Sequence, residues 1–334
     1  MAFDLLHFSQ RVPKSGYEIV VRRQLGEQSD ESYSKEQFLV ERVPLHGRKQ
    51  YSDVSPLQSK DRRPLFWRFG SLASSEDMIG FANEFGLLGG DFRESIWINR
   101  LTPEGMSDSY VIGESISSWE NEIRTMRLVT ELWQHAMTRG EQSTRDCLLR
   151  QCRQSAGQAE GAFGLFPLTL GRVLRGEGET RHSTAADAIC TNLEEALRRG
   201  DSATSIALNC IVIIINVTLA GAFSYRLARE EDQPDHRVQL HLVPGALHQV
   251  IWAQFAAAVG GRRAYEECAH CAEIFEVPIG QVGRPSAFCS DACRMKAYRR
   301  RQAEARRLSQ EGAAIAEIAS RLGVRVESVE RWTA

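Results

Sequence analysis

Cys268-Ala-His-Cys271 and Cys289-Ser-Asp-Ala-Cys293, with the basic run Arg294-Met-Lys-Ala-Tyr-Arg-Arg-Arg301 behind them, form the stretch on which the reading of this chain turns. Four of the eight cysteines fall within 26 positions, as one Cys-x2-Cys pair and one Cys-x3-Cys pair with seventeen residues between. Short pairs separated by a hairpin-length loop are the arithmetic of a tetrahedral thiolate site, each pair supplying half of the ligands. The expected ligands are therefore Cys268, Cys271, Cys289 and Cys293 around one Zn2+ ion. Four thiolates leave no position for water, so the site is expected to be structural, with His270 as exposed filler inside the knuckle.

Between the pairs, Ile274-Phe-Glu-Val277 is expected to pair with Ser286-Ala-Phe288 across a tip carrying Pro278, Gly280 and Gly283. Ser290-Asp291 reads as a helix start. Cys289 and Cys293 then face one ion from the first turn, where the helix dipole favours thiolate. Knuckle, hairpin and helix in that order are the treble-clef plan.

The run from Cys268 through Phe288-Cys-Ser-Asp-Ala-Cys-Arg-Met-Lys-Ala-Tyr-Arg-Arg-Arg301 resembles the small C-terminal treble-clef zinc fingers of bacterial proteins of unknown or regulatory function, relatives of the CGNR-type finger. The likeness covers about 40 residues. In this chain Arg294-Met-Lys296 follows the fourth cysteine where that finger has Gly-Asn-Arg. The resemblance implies a zinc-stapled regulatory protein.

At about 100° per residue, Lys296, Arg299, Arg300, Arg306 and Arg307 share one side of the helix after Cys293. Tyr298, Ala305 and Leu308 lie on the other, with Arg294 and Arg301 among them. A basic face opposite an apolar seam suits phosphate contact. Ile315-Ala-Glu-Ile-Ala-Ser-Arg-Leu-Gly323-Val-Arg-Val-Glu-Ser-Val-Glu-Arg-Trp332 then resembles a helix-turn-helix. Ala319 is the small residue at the crossing, Gly323 can take the positive φ of the turn, and Ile318, Leu322, Val324, Val329 and Trp332 are the expected core. The second helix would present Arg325, Ser328 and Arg331 to DNA. It also presents Glu327 and Glu330, which weaken the attraction to phosphate.

Bulk numbers exclude a whole-chain basic field. The 334 residues carry a formal charge of −2. From 262 onward, 13 Lys/Arg face 10 Asp/Glu, a net of +3 that leaves −5 upstream. Only a local patch can attract nucleic acid. Met1-Ala-Phe-Asp-Leu-Leu-His7 lacks the basic start and apolar run of a leader, so a reducing cytoplasm is the expected compartment. There Cys147, Cys152, Cys190 and Cys210 are expected to be inert core thiols rather than disulfides.

Upstream, Tyr17-Glu-Ile-Val-Val-Arg22 and Phe38-Leu-Val-Glu-Arg-Val43 read as strands, and 91–97 as a loop or short strand. Ser74-Ser75-Glu-Asp-Met78 reads as a polar N-cap with an acidic first turn, opening a helix in which Met78, Phe81, Ala82 and Phe85 recur at helical spacing up to Gly86. Ile116, Trp119, Ile123, Met126, Trp133 and Met137 predict a long helix over 114–139 that Gly140 ends, with both tryptophans buried. The span 156–179 reads as a glycine-rich connection, and 184–199 as a helix. The apolar run 206–223 has the minimum length of a membrane span, but its composition favours a buried helix. A strand at 237–243 and a helix opening at Pro244-Gly245, with Leu247, Val250, Ile251, Phe255 and Ala258 inward, close the body at Gly260-Gly261.

The sequence thus describes a mainly α chain with minor β. A small mixed region (1–60) precedes a helical body for sensing or dimerisation (61–261). A four-cysteine zinc module (262–308) and a helix-turn-helix (309–334) follow. No phosphate loop, His-Glu metal motif or nucleophile elbow points to an enzyme. The expected function is DNA binding in transcription regulation. The alternative is a protein-interaction factor, working through a homodimer or another partner, in which zinc and helix-turn-helix are structural.

Overall fold

The computed structural model describes residues 10–21, 36–42, 50–54, 63–102, 105–156, 169–170, 186–229, 238–261, 263–272, 274–278 and 287–333. The chain is mainly helical with small sheets. It divides into two compact units, 1–261 and 262–334.

In the first unit, β1 (Gln10–Pro13) pairs with β4 (Tyr51–Val54), both short. The larger sheet combines β2 (Tyr17–Val21), β3 (Gln37–Glu41), β5 (Arg93–Thr102) and β6 (Gly105–Ser115) in the antiparallel order β2-β3-β6-β5. The two strands expected from β-branched content pair directly, Tyr17 opposite Glu41. The segment 91–97, expected as a loop or short strand, instead opens the ten-residue strand β5, laddered to β6 from Arg93↔Glu114 to Thr102↔Gly105. Its partner begins with Gly105, Ser107, Asp108 and Ser109 among its first five residues, so the ladder supplies what side-chain pattern does not advertise.

Glu114, one residue before the end of β6, is fully buried. Its carboxylate accepts from Leu88 N (2.9 Å), Gly89 N (2.6 Å) and Trp119 Nε1 (2.8 Å). Burial pushes its pKa up, against those three donors and Arg93. The left-handed Gly89 (φ 78°) lets the chain fold back onto it. A Glu114→Gln variant turns an amide N–H toward a backbone donor. We expect a loss of about 1–3 kcal/mol, read as a lower urea midpoint at unchanged slope.

Helix α1 (Leu65–Gly70) and helix α2 (Ser75–Phe85) carry the aromatic core. α2 starts as its sequence dictates: Ser74 Oγ accepts from Asp77 N (3.2 Å) and Asp77 Oδ2 accepts from Ser74 N (3.0 Å). Met78, Phe81, Ala82 and Phe85 are buried, with Phe81 5.4 Å from Phe69 and 4.9 Å from Phe85 between ring centres. Both tryptophans of the next helix are buried too, Trp119 near Phe69 (5.9 Å) and Trp133 near Phe255 (5.6 Å).

The helix expected over 114–139 is α3 (Ile116–Gln134), continued by a π-helical turn, His135–Arg139. Gly140 (φ 80°) ends that ladder as expected, yet α4 (Gly140–Ala156) begins at once. Tertiary contact sustains the restart. Glu141 accepts from Ala203 N and Thr204 N, capping a helix some sixty residues later where its dipole is positive. That helix is α6 (Ala203–Thr218), preceded by α5 (Ala186–Arg198). The expected connection over 156–179 lies outside the described residues except at 156 and 169–170.

The apolar run 206–223 is divided between α6 and β7 (Phe223–Arg229), and no helix among the described residues is long and apolar enough to cross a membrane. α6 buries Ile206, Ala207, Cys210, Ile211, Ile214 and Ile215 and turns Asn209 and Asn216 outward. β7 pairs antiparallel with β8 (Val238–Pro244). Then α7 (Leu247–Gly260) buries all five residues expected on its inner face. His248 Nε2 and Trp252 Nε1 of α7 both meet Glu122 of α3.

The expectation of four inert thiols holds for two. Cys147 and Cys210 are buried, and burial pushes their thiols up to about 11 and about 12. Cys152 and Cys190 instead form a disulfide between α4 and α5, Cα atoms 5.7 Å apart. Their 38-residue separation hid a proximity that only helix packing creates.

Candidate metal centre

In the second unit, β9 (Arg263–Glu267) pairs antiparallel with β10 (Ile274–Pro278), and the first cysteine pair lies in the turn between them. The expected partner of β10, 286–288, is not its partner: Ser286 and the tip at 279–285 lie outside the described residues, and Ala287 and Phe288 are not in a strand. The observed pairing is the more local one, because Glu267 and Ile274 need only a tight turn to meet. That turn is closed by Ala272 N donating to Cys268 O (2.9 Å), with Ala272 in the left-handed region (φ 57°).

The second pair arrives from the other side. Ala269 N donates to Ala287 O (2.9 Å), tying the knuckle to the approach of helix α8 (Asp291–Gln310). Ser290 caps α8 by accepting from Cys293 N at 3.2 Å. Cys289 thus lies just before the helix and Cys293 in its first turn, as their spacing implied.

The four sulfurs lie within 4.8 Å of one another, so this cluster can hold a metal ion. Cys271–Cys289, Cys289–Cys293 and Cys293–Cys271 are 3.6, 3.5 and 3.7 Å apart. A tetrahedron with bonds of about 2.3 Å has edges of about 3.8 Å, so the thiols already stand near ligand spacing. Cys268 is buried, which opposes ionisation, but the backbone N–H groups of Cys289, Cys271 and His270 outweigh that and bring its pKa down to about 6. The Cys293 sulfur pushes the Cys289 thiol up. His270, expected to be exposed, is half-buried, and its amide rather than its ring serves the site.

Helix α8 continues into a three-helix core with α9 (Ile315–Leu322) and α10 (Val326–Thr333). Ala305, Leu308, Ile318, Ala319, Val329 and Trp332 are buried together, with Leu322 and Val324 partly so. Gly323 adopts φ 60°, ψ 38°, the left-handed turn its position implied. Trp332 Nε1 donates to Tyr298 Oη (2.8 Å), and the rings meet edge-on at 5.3 Å.

The expected nucleic-acid contacts fall into different circumstances. Lys296, Arg299 and Arg300 are exposed on α8 and make no ion pair among the described residues. Arg306 is exposed but donates from Nε to Trp332 O (2.8 Å), closing the end of α10. Arg307 is held between Glu304 (2.7 Å) and Glu311, which raises its already high pKa further. Those two glutamates stand at i−3 and i+4, so their competition was legible beforehand. Arg325 and Arg331 are exposed, Ser328 half-buried, and Glu327 and Glu330 exposed beside them.

No family model, curated protein or solved structure matches this chain.

Proposed function

We propose that residues 262–334 form a zinc-stapled DNA-binding module of a bacterial-type transcriptional regulator, with the helical body 61–261 for sensing or dimerisation. The thiolate cluster selects zinc over harder divalent ions, since an all-sulfur set of four suits a soft or borderline cation. Bound there, zinc joins the β9–β10 turn to the start of α8. The observation that carries the DNA reading is the left-handed turn at Gly323 joining two short helices against α8, the arrangement of a helix-turn-helix. In that arrangement Lys296, Arg299 and Arg300 contact backbone phosphates, and Arg325, Ser328 and Arg331 reach base edges. The resemblance of 268–301 to treble-clef fingers of regulatory proteins supports the same reading.

Binding of the full chain to genomic and random duplex fragments, titrated against salt, tests it. Affinity is expected to fall steeply as salt rises. Replacing Lys296, Arg299 and Arg300 by alanine should lower the slope of log K against log salt by about 2–3, at about 0.9 per phosphate contact.

A second reading has its own observation. Arg307 is occupied by Glu304 and Glu311, and α10 presents Glu327 and Glu330 beside its arginines. These favour a protein-contact module in which the metal and the turn are structural. Salt-insensitive association with a protein, and no retention of DNA, would establish that alternative.

A further inference from the structure

Away from the C-terminal cysteines, Glu131, His135 and Cys147 bring a carboxylate oxygen, an imidazole nitrogen and a thiol sulfur within 4.8 Å of one another. We propose that these three side chains form a second metal site, taking a borderline divalent cation of the zinc type. The donor set points to that class, because imidazole and thiolate disfavour calcium and magnesium, while a carboxylate completes many zinc sites.

The local structure presents these atoms as ligands. His135 Nδ1 lies 2.8 Å from Ser143 Oγ. With Nδ1–H donating to that hydroxyl, the lone pair resides on Nε2, which stands 3.9 Å from Glu131 Oε1. Gln151 Nε2 donates to Glu131 Oε2 at 2.6 Å and orients the carboxylate. Two of the three ligands therefore have an outer partner that fixes their geometry. His135 and Cys147 are buried, and His135 begins the π-helical turn, a distortion that recurs at functional positions.

A positive charge already occupies the place. Arg150 Nη2 is 2.5 Å from Glu131 Oε1 and 3.6 Å from Cys147 Sγ, bridging the two groups that would be anionic around a metal. The Arg150 side chain is 46% exposed, so it can leave for water when a divalent ion replaces it. Three protein ligands leave a fourth position for water or a ligand atom. Glu131 also lines a cavity of about 420 Å³ with Phe66, Trp67, Arg127 and Gln134. On binding, the Cys147 S–H bond breaks, its electron pair goes to the metal and its proton to water. Because the thiol must give up its proton to bind, affinity declines as pH falls.

Stripping the full chain of metal and titrating Zn2+ against a chromophoric chelator tests the proposal. The expected stoichiometry is two ions per chain. Glu131→Gln and Cys147→Ser should each remove one ion, and Cys289→Ser the other. Glu131→Gln alters a half-exposed residue and guards against a folding defect at buried Cys147. With Co2+, the ion retained by Cys289→Ser should show the charge-transfer intensity of one thiolate, not four. A single ion abolished by Cys289→Ser and indifferent to Glu131→Gln overturns the proposal. So does a second ion that survives both Glu131→Gln and Cys147→Ser. DNA binding enters neither readout, so the two proposals fail separately.

Discussion

Replacing Cys293 by serine, or stripping the full chain with a strong chelator, is expected to unfold 263–293 while the body keeps its fold. The turn that carries Cys268 and Cys271 meets the approach of α8 through the hydrogen bond from Ala269 N to Ala287 O and through the cysteines themselves, so a metal on those cysteines would be the main tie of the β9–β10 hairpin to α8. Structural zinc contributes about 10–16 kcal/mol in zinc-finger peptides, far above what one backbone hydrogen bond supplies. Four thiolates within 4.8 Å would also repel once the ion is gone. Limited proteolysis should then cut within 263–293, and zinc should restore protection. Unchanged protection after complete metal removal would show that the thiols do not carry the fold there.

Trp332→Ala is expected to be the most damaging single change beyond the metal ligands. Among the described residues the three-helix core contains six buried side chains, and Trp332 is by far the largest. Truncating a buried tryptophan costs about 3–5 kcal/mol. The change also removes the hydrogen bond to Tyr298 Oη and the edge-on contact that ties α10 to α8. Hydrogen exchange should show α9 and α10 losing protection together, because neither eight-residue helix persists alone. Metal uptake by the four sulfurs at 268–293 should be unchanged, since Trp332 is not among the candidate ligands. Persistent protection of α9 and α10 in the variant would refute the dependence.

How much could be read in advance follows from the range of each interaction. The capping box of Ser74 and Asp77 and the left-handed Gly323 were legible because each is settled within about four residues. The inward faces of α2 and α7 were legible because helical periodicity repeats over several turns. The approach of Cys289 and Cys293 was legible because four residues is one helical turn. The restart at Gly140 was not, because it depends on Glu141 meeting the start of α6, about sixty residues later. The fate of Arg306 was hidden for the same reason: its partner is a backbone carbonyl at Trp332.

By itself, then, the sequence determined the helical class, the ligand spacing, the turn at Gly323 and the identity of the buried stripes, all consequences of local stereochemistry and periodic burial. Only tertiary structure decided that β10 pairs with β9, that β5 and β6 form a long hairpin ending on buried Glu114, and that Cys152 meets Cys190. The convergence of Glu131, His135 and Cys147 at a π-helical turn belongs with these. Each depends on segments brought together by burial of apolar surface, a force that is non-directional and leaves no spacing rule in the chain.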